Sequence, residues 1–347
     1  MRIGLNMGFL KKFGVAPVEL VNQAEALGYD SVWVGEAYGS DAVSIAAWLL
    51  SRSKRIRVGT AIMQMSARTP ATTAMTAMTL AELSGNRFIV GLGASGPQVV
   101  EGWHGVPYGK PVTRLREYVQ IMRMIMAREG PVSFDGEVYQ LPCRGEGTTG
   151  LGKPLKSTLK PAPAIPIYSA SFTPGGIAAS AEIADGVCPI WLNPDRYDLI
   201  GQHLDRGFSR RTDGKTAADF DVMPSVPVAI GEDLEACRQP IKAYLALYIG
   251  GMGARDKNFY NRYARESGYE EAAIRIQDLY LAGDKAAAAA AVPDELVDEI
   301  SLVGPLGRIA ERAEAWKALG RDGRIGTLQL NLQQPEYLSA LADILCD

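Results

Sequence analysis

The sequence predicts an α/β protein folded as a (β/α)8 barrel, and three observations carry that expectation. Strand and helix signals alternate along the whole chain, eight strands are countable, and several helix-to-strand joints share one design. The first strand spans 2–8 and leads to a helix at 17–27, with Gly28 at its end. The second strand, 31–36, is Ser-Val-Trp-Val-Gly-Glu, and Asp41 is placed to cap a helix over 41–51. A third strand at 56–64 precedes a helix at 70–83. The fourth, 87–93, is a continuous apolar run, as expected of a strand covered on both faces. A long helix at 112–127 and a short hairpin arm at 133–140 follow. The fifth strand is 165–171, with a helix at 175–184. The sixth is 186–191 and the seventh 222–230, with a helix from 233 to about 247. Helix 306–319, strand 327–332 and helix 335–345 complete the eighth unit. The joints at Gly28, at Gly85-Asn86 and at Asp185-Gly186 each suit a left-handed residue between helix and strand.

Two segments interrupt this rhythm. Residues 143–164 carry four Gly, three Pro and four basic residues, and read as an ordered excursion over the barrel mouth. Residues 250–305 are helical in composition, with six consecutive alanines at 286–291, and read as an insertion before the last unit. The 347 residues are therefore taken as one barrel domain, 1–347, with these two elaborations.

Bulk properties narrow the function. A hydrophobic fraction of 47%, a charged fraction of 22% and a net charge of −3 suit a globular protein and argue against a dedicated nucleic-acid binder. No apolar run approaches the ~20 residues of a membrane span, and the N-terminus lacks a signal-peptide pattern. Cys143, Cys188, Cys237 and Cys346 form no CxxC pair, so reduced thiols in a cytoplasmic protein are expected. With only His104 and His203 present, no His-rich metal centre is expected.

Candidate site residues lie at predicted C-terminal strand ends, where parallel α/β folds build their active sites. Gly91, Gly93, Ala94, Ser95 and Gly96 remove bulk as the fourth strand ends, leaving room for a large ligand or a sharp turn. Gly59, Thr60 and Ala61 suit either an approaching planar ring or tight packing inside the barrel. Glu36 closes the second strand and either accepts hydrogen bonds from a ligand or forms an ion pair. Gly175 and Gly176 open a helix whose N–H groups suit a phosphate, although the segment has no P-loop lysine. Gln98 and Trp103 fall on the substrate side, and Tyr38, Glu101 and His104 are candidate proton donors. Lys110, Arg114 and Arg116 read as a solvated helix face or as contacts to an anionic ligand tail.

Taken together, Ser31–Asp41 (SVWVGEAYGSD), 58–65 with the ARTP at 67–70, 83–104 (LSGNRFIVGLGASGPQVVEGWH), 165–186 and 250–260 resemble the luciferase-like monooxygenase superfamily. Within it they look like the coenzyme F420-dependent branch that includes methylenetetrahydromethanopterin reductase. The resemblance implies a barrel with insertions, a homodimer, and F420 or FMN bound at the mouth. It places Glu36 near the deazaflavin and a non-prolyl cis peptide at Ala61-Ile62, under the ring. Thr60, Gly93, Ala94 and Ser95 would border the cofactor, and Ser169, Ala170, Ser171, Gly175 and Gly176 would hold its phosphate. Sugar-phosphate dehydrogenases of the superfamily carry a His after the acidic residue and a Glu after the Gly-rich strand; Ala37 and Gly96 stand there instead. Glucose-6-phosphate oxidation is therefore not expected. The implied activity is hydride transfer from F420 to an activated C=C or C=N bond of a small molecule. The alternatives are an FMN monooxygenase served by a flavin reductase, and a non-catalytic F420 carrier.

Overall fold

A computed structural model describes residues 1–8, 17–253, 255 and 257–345. Cys346 and parts of the 250–260 motif lie outside them. Strands β1 (Arg2–Asn6), β2 (Ser31–Val34), β3 (Arg57–Thr60), β4 (Met63–Gln64) and β5 (Phe88–Gly93) come first along the chain. An antiparallel pair, β6 (Phe134–Asp135) and β7 (Gln140–Leu141), stands outside the main sheet. Then come β8 (Ile167–Ser169), β9 (Gly186–Val187), β10 (Asp221–Val222), β11 (Ser225–Ile230), β12 (Leu302–Gly304) and β13 (Thr327–Leu332).

The main sheet is parallel throughout and closes on itself. Leu5 of β1 faces Val32 of β2, Val32 faces Val58 of β3, and Val58 faces Phe88 of β5. Val90 of β5 faces Ile167 of β8, Tyr168 faces Gly186 of β9, and Gly186 faces Asp221 of β10. The same stretch of chain continues as β11, whose Val226 meets Leu330 of β13, and Leu330 meets Leu5. The eight expected strands thus form the ring, with the third divided into β3 and β4 and the seventh into β10 and β11. β12, which the sequence did not reveal, pairs with the far end of β11.

Helices cover the outside, and their starts follow the chemistry of their first residues. Asp41 accepts the Ser44 N–H at 2.6 Å, Thr69 caps Pro70–Ser84, and Thr173 caps Pro174–Ile183. Gly28, Gly85 and Asn86 are left-handed, with φ of 86°, 66° and 63°. The third joint departs from this design. Ala184 ends its helix in extended backbone, and Asp185 instead accepts hydrogen bonds from Arg123, Lys215 and the Ile167 N–H. Two helices escaped the sequence reading: Asp198–Phe208, and the short Pro97–Gly102 that Gly96 and Pro97 introduce.

The segment 143–164 is also placed differently from expectation. Arg128 donates to the Ser157 carbonyl, the Ala162 N–H donates to Met126, and Lys160 pairs with Glu82. These partners end outer helices, so the second half of the excursion runs along the foot of the barrel, not over its mouth. Between 250 and 305 lie helices Phe259–Glu266, Glu270–Leu281, Lys285–Ala290 and Asp294–Ile300, over their own apolar core. Among the described residues, no helix is long and apolar enough to cross a membrane. Cys143, Cys188 and Cys237 are free thiols.

Inside the ring, Trp33, Ile89, Tyr168, Cys188 and Met223 form a packed plug, with the Trp33 and Tyr168 rings 5.5 Å apart. This plug explains Gly59: a Cβ there would sit 2.4 Å from the Trp33 ring. The glycines of β5 answer to the neighbouring strand. A Cβ on Gly91 would lie 1.7 Å from the Thr60 carbonyl oxygen, and one on Gly93 would lie 2.7 Å from Ile62.

Candidate active site

The C-terminal ends of the strands gather a connected set of polar groups. Glu36 follows β2 and is almost buried. Arg68 donates to its two oxygens at 2.8 and 2.9 Å, and the Gln64 N–H donates to it at 3.0 Å. Arg68 also pairs with Asp41. Burial alone would raise the Asp41 pKa, but the Ser44 hydrogen bonds and the Arg68 charge outweigh it and hold the carboxyl below its usual range. Burial would likewise lower the Arg68 pKa, yet Glu36 and Asp41 hold it above its ordinary value. Glu36 is therefore committed within the protein, and its carboxylate organises the rim from behind.

Gln64 is the next link. Its amide nitrogen donates to the Ala37 carbonyl at 2.5 Å, and its amide oxygen lies 3.1 Å from Nε2 of His104. Neither Gln64 nor Arg68 was singled out by sequence reasoning. The available signal was position, since Gln64 ends the third strand and Arg68 follows it, on the side where Glu36 ends the second. Tyr38 and Trp103 are exposed on the same rim with ring centroids 6.4 Å apart. Glu101 is exposed and accepts the Tyr108 N–H at 3.2 Å. Gln98 sits on the short helix Pro97–Gly102 and is exposed.

Two predicted cofactor contacts point elsewhere. Thr60 is fully buried, and its hydroxyl bonds to the Gly91 carbonyl and N–H, both at 2.9 Å. The Ser169 hydroxyl is paired with that of Ser180 under the helix Pro174–Ile183. Both hydroxyls are used to lock elements together, so neither side chain reaches the mouth. Ala61, Ile62, Ala94, Ser95 and Ser171 are partly exposed at the strand ends, Ala170 is exposed, and Gly93 is buried. The Ala61-Ile62 peptide is cis.

The helix opening at Pro174 keeps one donor spare. Pro174 has no N–H, the Gly176 N–H donates to the Thr173 hydroxyl at 3.2 Å, and the Ile177 N–H donates to the Thr173 carbonyl. Among the described residues the Gly175 N–H has no hydrogen-bond partner, Gly175 is exposed, and a Cβ there would meet only Val112, at 3.9 Å. Val112 lies in the first turn of the helix Pro111–Ala127, so a second helix N-terminus lies near Gly175. Their dipoles favour an anion at that spot. Lys110 pairs with Glu137, Arg116 with Glu182, and Arg114 donates to the Pro107 carbonyl, so these cations are engaged with the protein.

An aromatic nest forms the far wall. Trp191 follows β9 and meets Tyr260 at 5.5 Å. Tyr248 meets Tyr260 at 4.8 Å, and Phe172 stacks on Tyr260 at 4.8 Å. Burial pushes these phenols up, Tyr263 to about 12, so they stay neutral at ordinary pH. A cavity of about 240 Å³ behind Trp191 and Tyr263 is smaller than usual ligand pockets, which start near 300 Å³.

A closed parallel barrel with its linked polar groups on the C-terminal rim is the build of a TIM-barrel enzyme. The sequence profile of the luciferase-like monooxygenase family matches residues 16–323. The chain belongs to that family. It is 44% identical over 325 residues to a Mycobacterium tuberculosis protein named "Putative coenzyme F420-dependent oxidoreductase", covering 92% of this chain and 93% of that one. It is 26% identical to the 5,10-methylenetetrahydromethanopterin reductase of Archaeoglobus fulgidus, covering 84% and 83% of the two chains. In three dimensions it superposes on the coenzyme F420-dependent tetrahydromethanopterin reductase of Methanopyrus kandleri with a TM-score of 0.79 and 18% identity. That superposition covers 99% of this chain and 98% of the other, and it establishes the fold.

Proposed function

We propose that the protein is a coenzyme F420-dependent oxidoreductase that reduces an activated C=C or C=N bond of a small organic molecule. The observation that carries this reading is the nearness of two helix N-termini at Gly175, on the same barrel end as the Glu36–Arg68–Gln64–His104 chain. A phosphate-bearing cofactor fits there, because Gly175 is exposed and the helix ends supply donors. The 44% relative favours F420 over FMN as that cofactor.

Bound F420 supplies a hydride at C5 of its deazaflavin ring; the protein supplies everything else. Gly175 and Gly176 would hold the phosphate, and Ala94, Ser95 and the 61–62 segment would border the ring. The neutral aromatic wall of Tyr248, Tyr260 and Trp191 keeps water out and offers faces for a flat substrate to stack on. His104 is the proton donor we favour among the three candidates, since it alone is held by a buried partner, Gln64.

Titration of the purified protein with F420 and with FMN tests the reading. Tight F420 binding with oxidation of reduced F420 by an unsaturated substrate supports it. FMN binding with oxygen uptake, or F420 binding without hydride exchange on any substrate, overturns it.

A further inference from the structure

Gln64 is 1% exposed, and its contacts settle which way its amide faces. The Ala37 carbonyl can only accept, so the amide branch 2.5 Å from it is the NH2 group. The branch facing His104 is therefore the oxygen, which can only accept. For the 3.1 Å contact to be a hydrogen bond, Nε2 of His104 must carry the hydrogen. Among the described residues Nδ1 has no partner.

We propose that Gln64 is a positioning residue that holds His104 in its Nε2–H form, so that Nδ1 is the atom that takes up and gives the proton. The proposal rests on the reading of His104 as proton donor. Reduced deazaflavin is the reductant. As hydride reaches one atom of the substrate double bond, the π electron pair moves to the other atom, which takes the proton from Nδ1–H. The imidazolium becomes the neutral Nε2–H ring. That ring is already bonded to Gln64, so it need not turn before or after the transfer. The Gln64 backbone N–H donates to Glu36, which Arg68 grips, so the same ion pair that frames the rim also anchors the amide. The chain thus runs Arg68, Glu36, Gln64, His104, with Gln64 its most buried member.

The test uses the full chain without cofactor, labelled with 15N-histidine. With two histidines in the sequence, the His104 signals are identified as those lost in His104→Ala. Two-bond proton–nitrogen correlations, recorded where the ring is neutral, report which nitrogen carries the hydrogen. The expected pattern for the native protein is pure Nε2–H. Gln64→Leu should move His104 toward the tautomer mixture of a free side chain, and Gln64→Glu, which keeps an acceptor, should retain Nε2–H. A neutral His104 protonated at Nδ1, or a folded Gln64→Leu variant with an unchanged pattern, overturns the proposal. If Gln64→Leu does not fold, the native pattern still decides. Kinetics separate this from the donor assignment. Gln64→Leu should lower kcat about tenfold with KM unchanged, within the range of acid–base contributions, and should add nothing in a His104→Ala background. A pure Nε2–H pattern with unaltered kcat in both single variants would retain the positioning and remove His104 as donor.

Discussion

At the foot of the barrel, Asp221 accepts from Arg2 at 2.6 Å, from the Tyr168 hydroxyl at 2.8 Å and from Thr327 at 2.7 Å, all on one oxygen. At the mouth, Glu36 also takes several donors, but its partners lead outward through Gln64 to a histidine with a free nitrogen, beside the exposed rings of Tyr38 and Trp103. Both ends place a carboxylate behind the strand ends. At the foot these donors join β1, β8, β10 and β13 through one Asp221 oxygen, while its other oxygen is buried without a partner among the described residues. The mouth holds an arrangement that ends in unused capacity: the Gly175 N–H and His104 Nδ1. The difference is one of direction: the contacts at the foot run between strands, whereas those at the mouth run outward to a histidine beside exposed rings.

That contrast can be broken by substitution. Asp221→Ala strands the buried Tyr168 and Thr327 hydroxyls and the Arg2 charge, and should cost about 3 kcal/mol or more of stability. Chemical denaturation reads that loss, with turnover per folded molecule unchanged; a stable variant with lost turnover would reverse the assignment of the two ends. His104→Ala should leave stability nearly unchanged and lower kcat about 100-fold, as steady-state kinetics would show. Gly176→Ala places a Cβ 2.9 Å from the Ser171 and Thr173 hydroxyls, disturbing the helix opening. F420 affinity should fall about tenfold, or about 1.4 kcal/mol, with kcat at saturation retained. The smallest effect belongs to pH. Burial would raise the Asp185 pKa, but Arg123, Lys215 and the Ile167 N–H hold it below the usual carboxylate value. A depressed folded pKa gives stability that is complete above the unfolded value, about 4, and is lost as pH falls below it. Asp185→Asn should flatten that part of the stability–pH curve.

The barrel itself was legible, because the alternation of eight strands with helices, the cap at Asp41 and the glycine joints are local signals, whereas the caps at Thr69 and Thr173 emerged only from the structure. Small residues were legible as a pattern but not in purpose. Gly59 makes room for Trp33 and Gly91 for the Thr60 carbonyl, both contacts between residues more than twenty positions apart. Thr60 and Ser169 looked available at strand ends, yet each hydroxyl turned inward to a partner on another element. Gln64 and Arg68 stayed hidden for the converse reason. Both lie in stretches that carry the family resemblance, yet their roles arise from side-chain and backbone contacts to Glu36 and His104 on other elements.

Phe172 lies on the loop between β8 and Gly175, yet its ring stacks on Tyr260 at 4.8 Å and meets Tyr263 at 5.9 Å. The loop that leads to the proposed phosphate site and the helix Phe259–Glu266 therefore share one aromatic joint. Swinging that helix outward must unstack Phe172, and Phe172 cannot leave without tugging on the residues just before Gly175. The rings proposed to face the substrate thus also brace the loop before Gly175, and the two ends of the proposed site are coupled through Phe172.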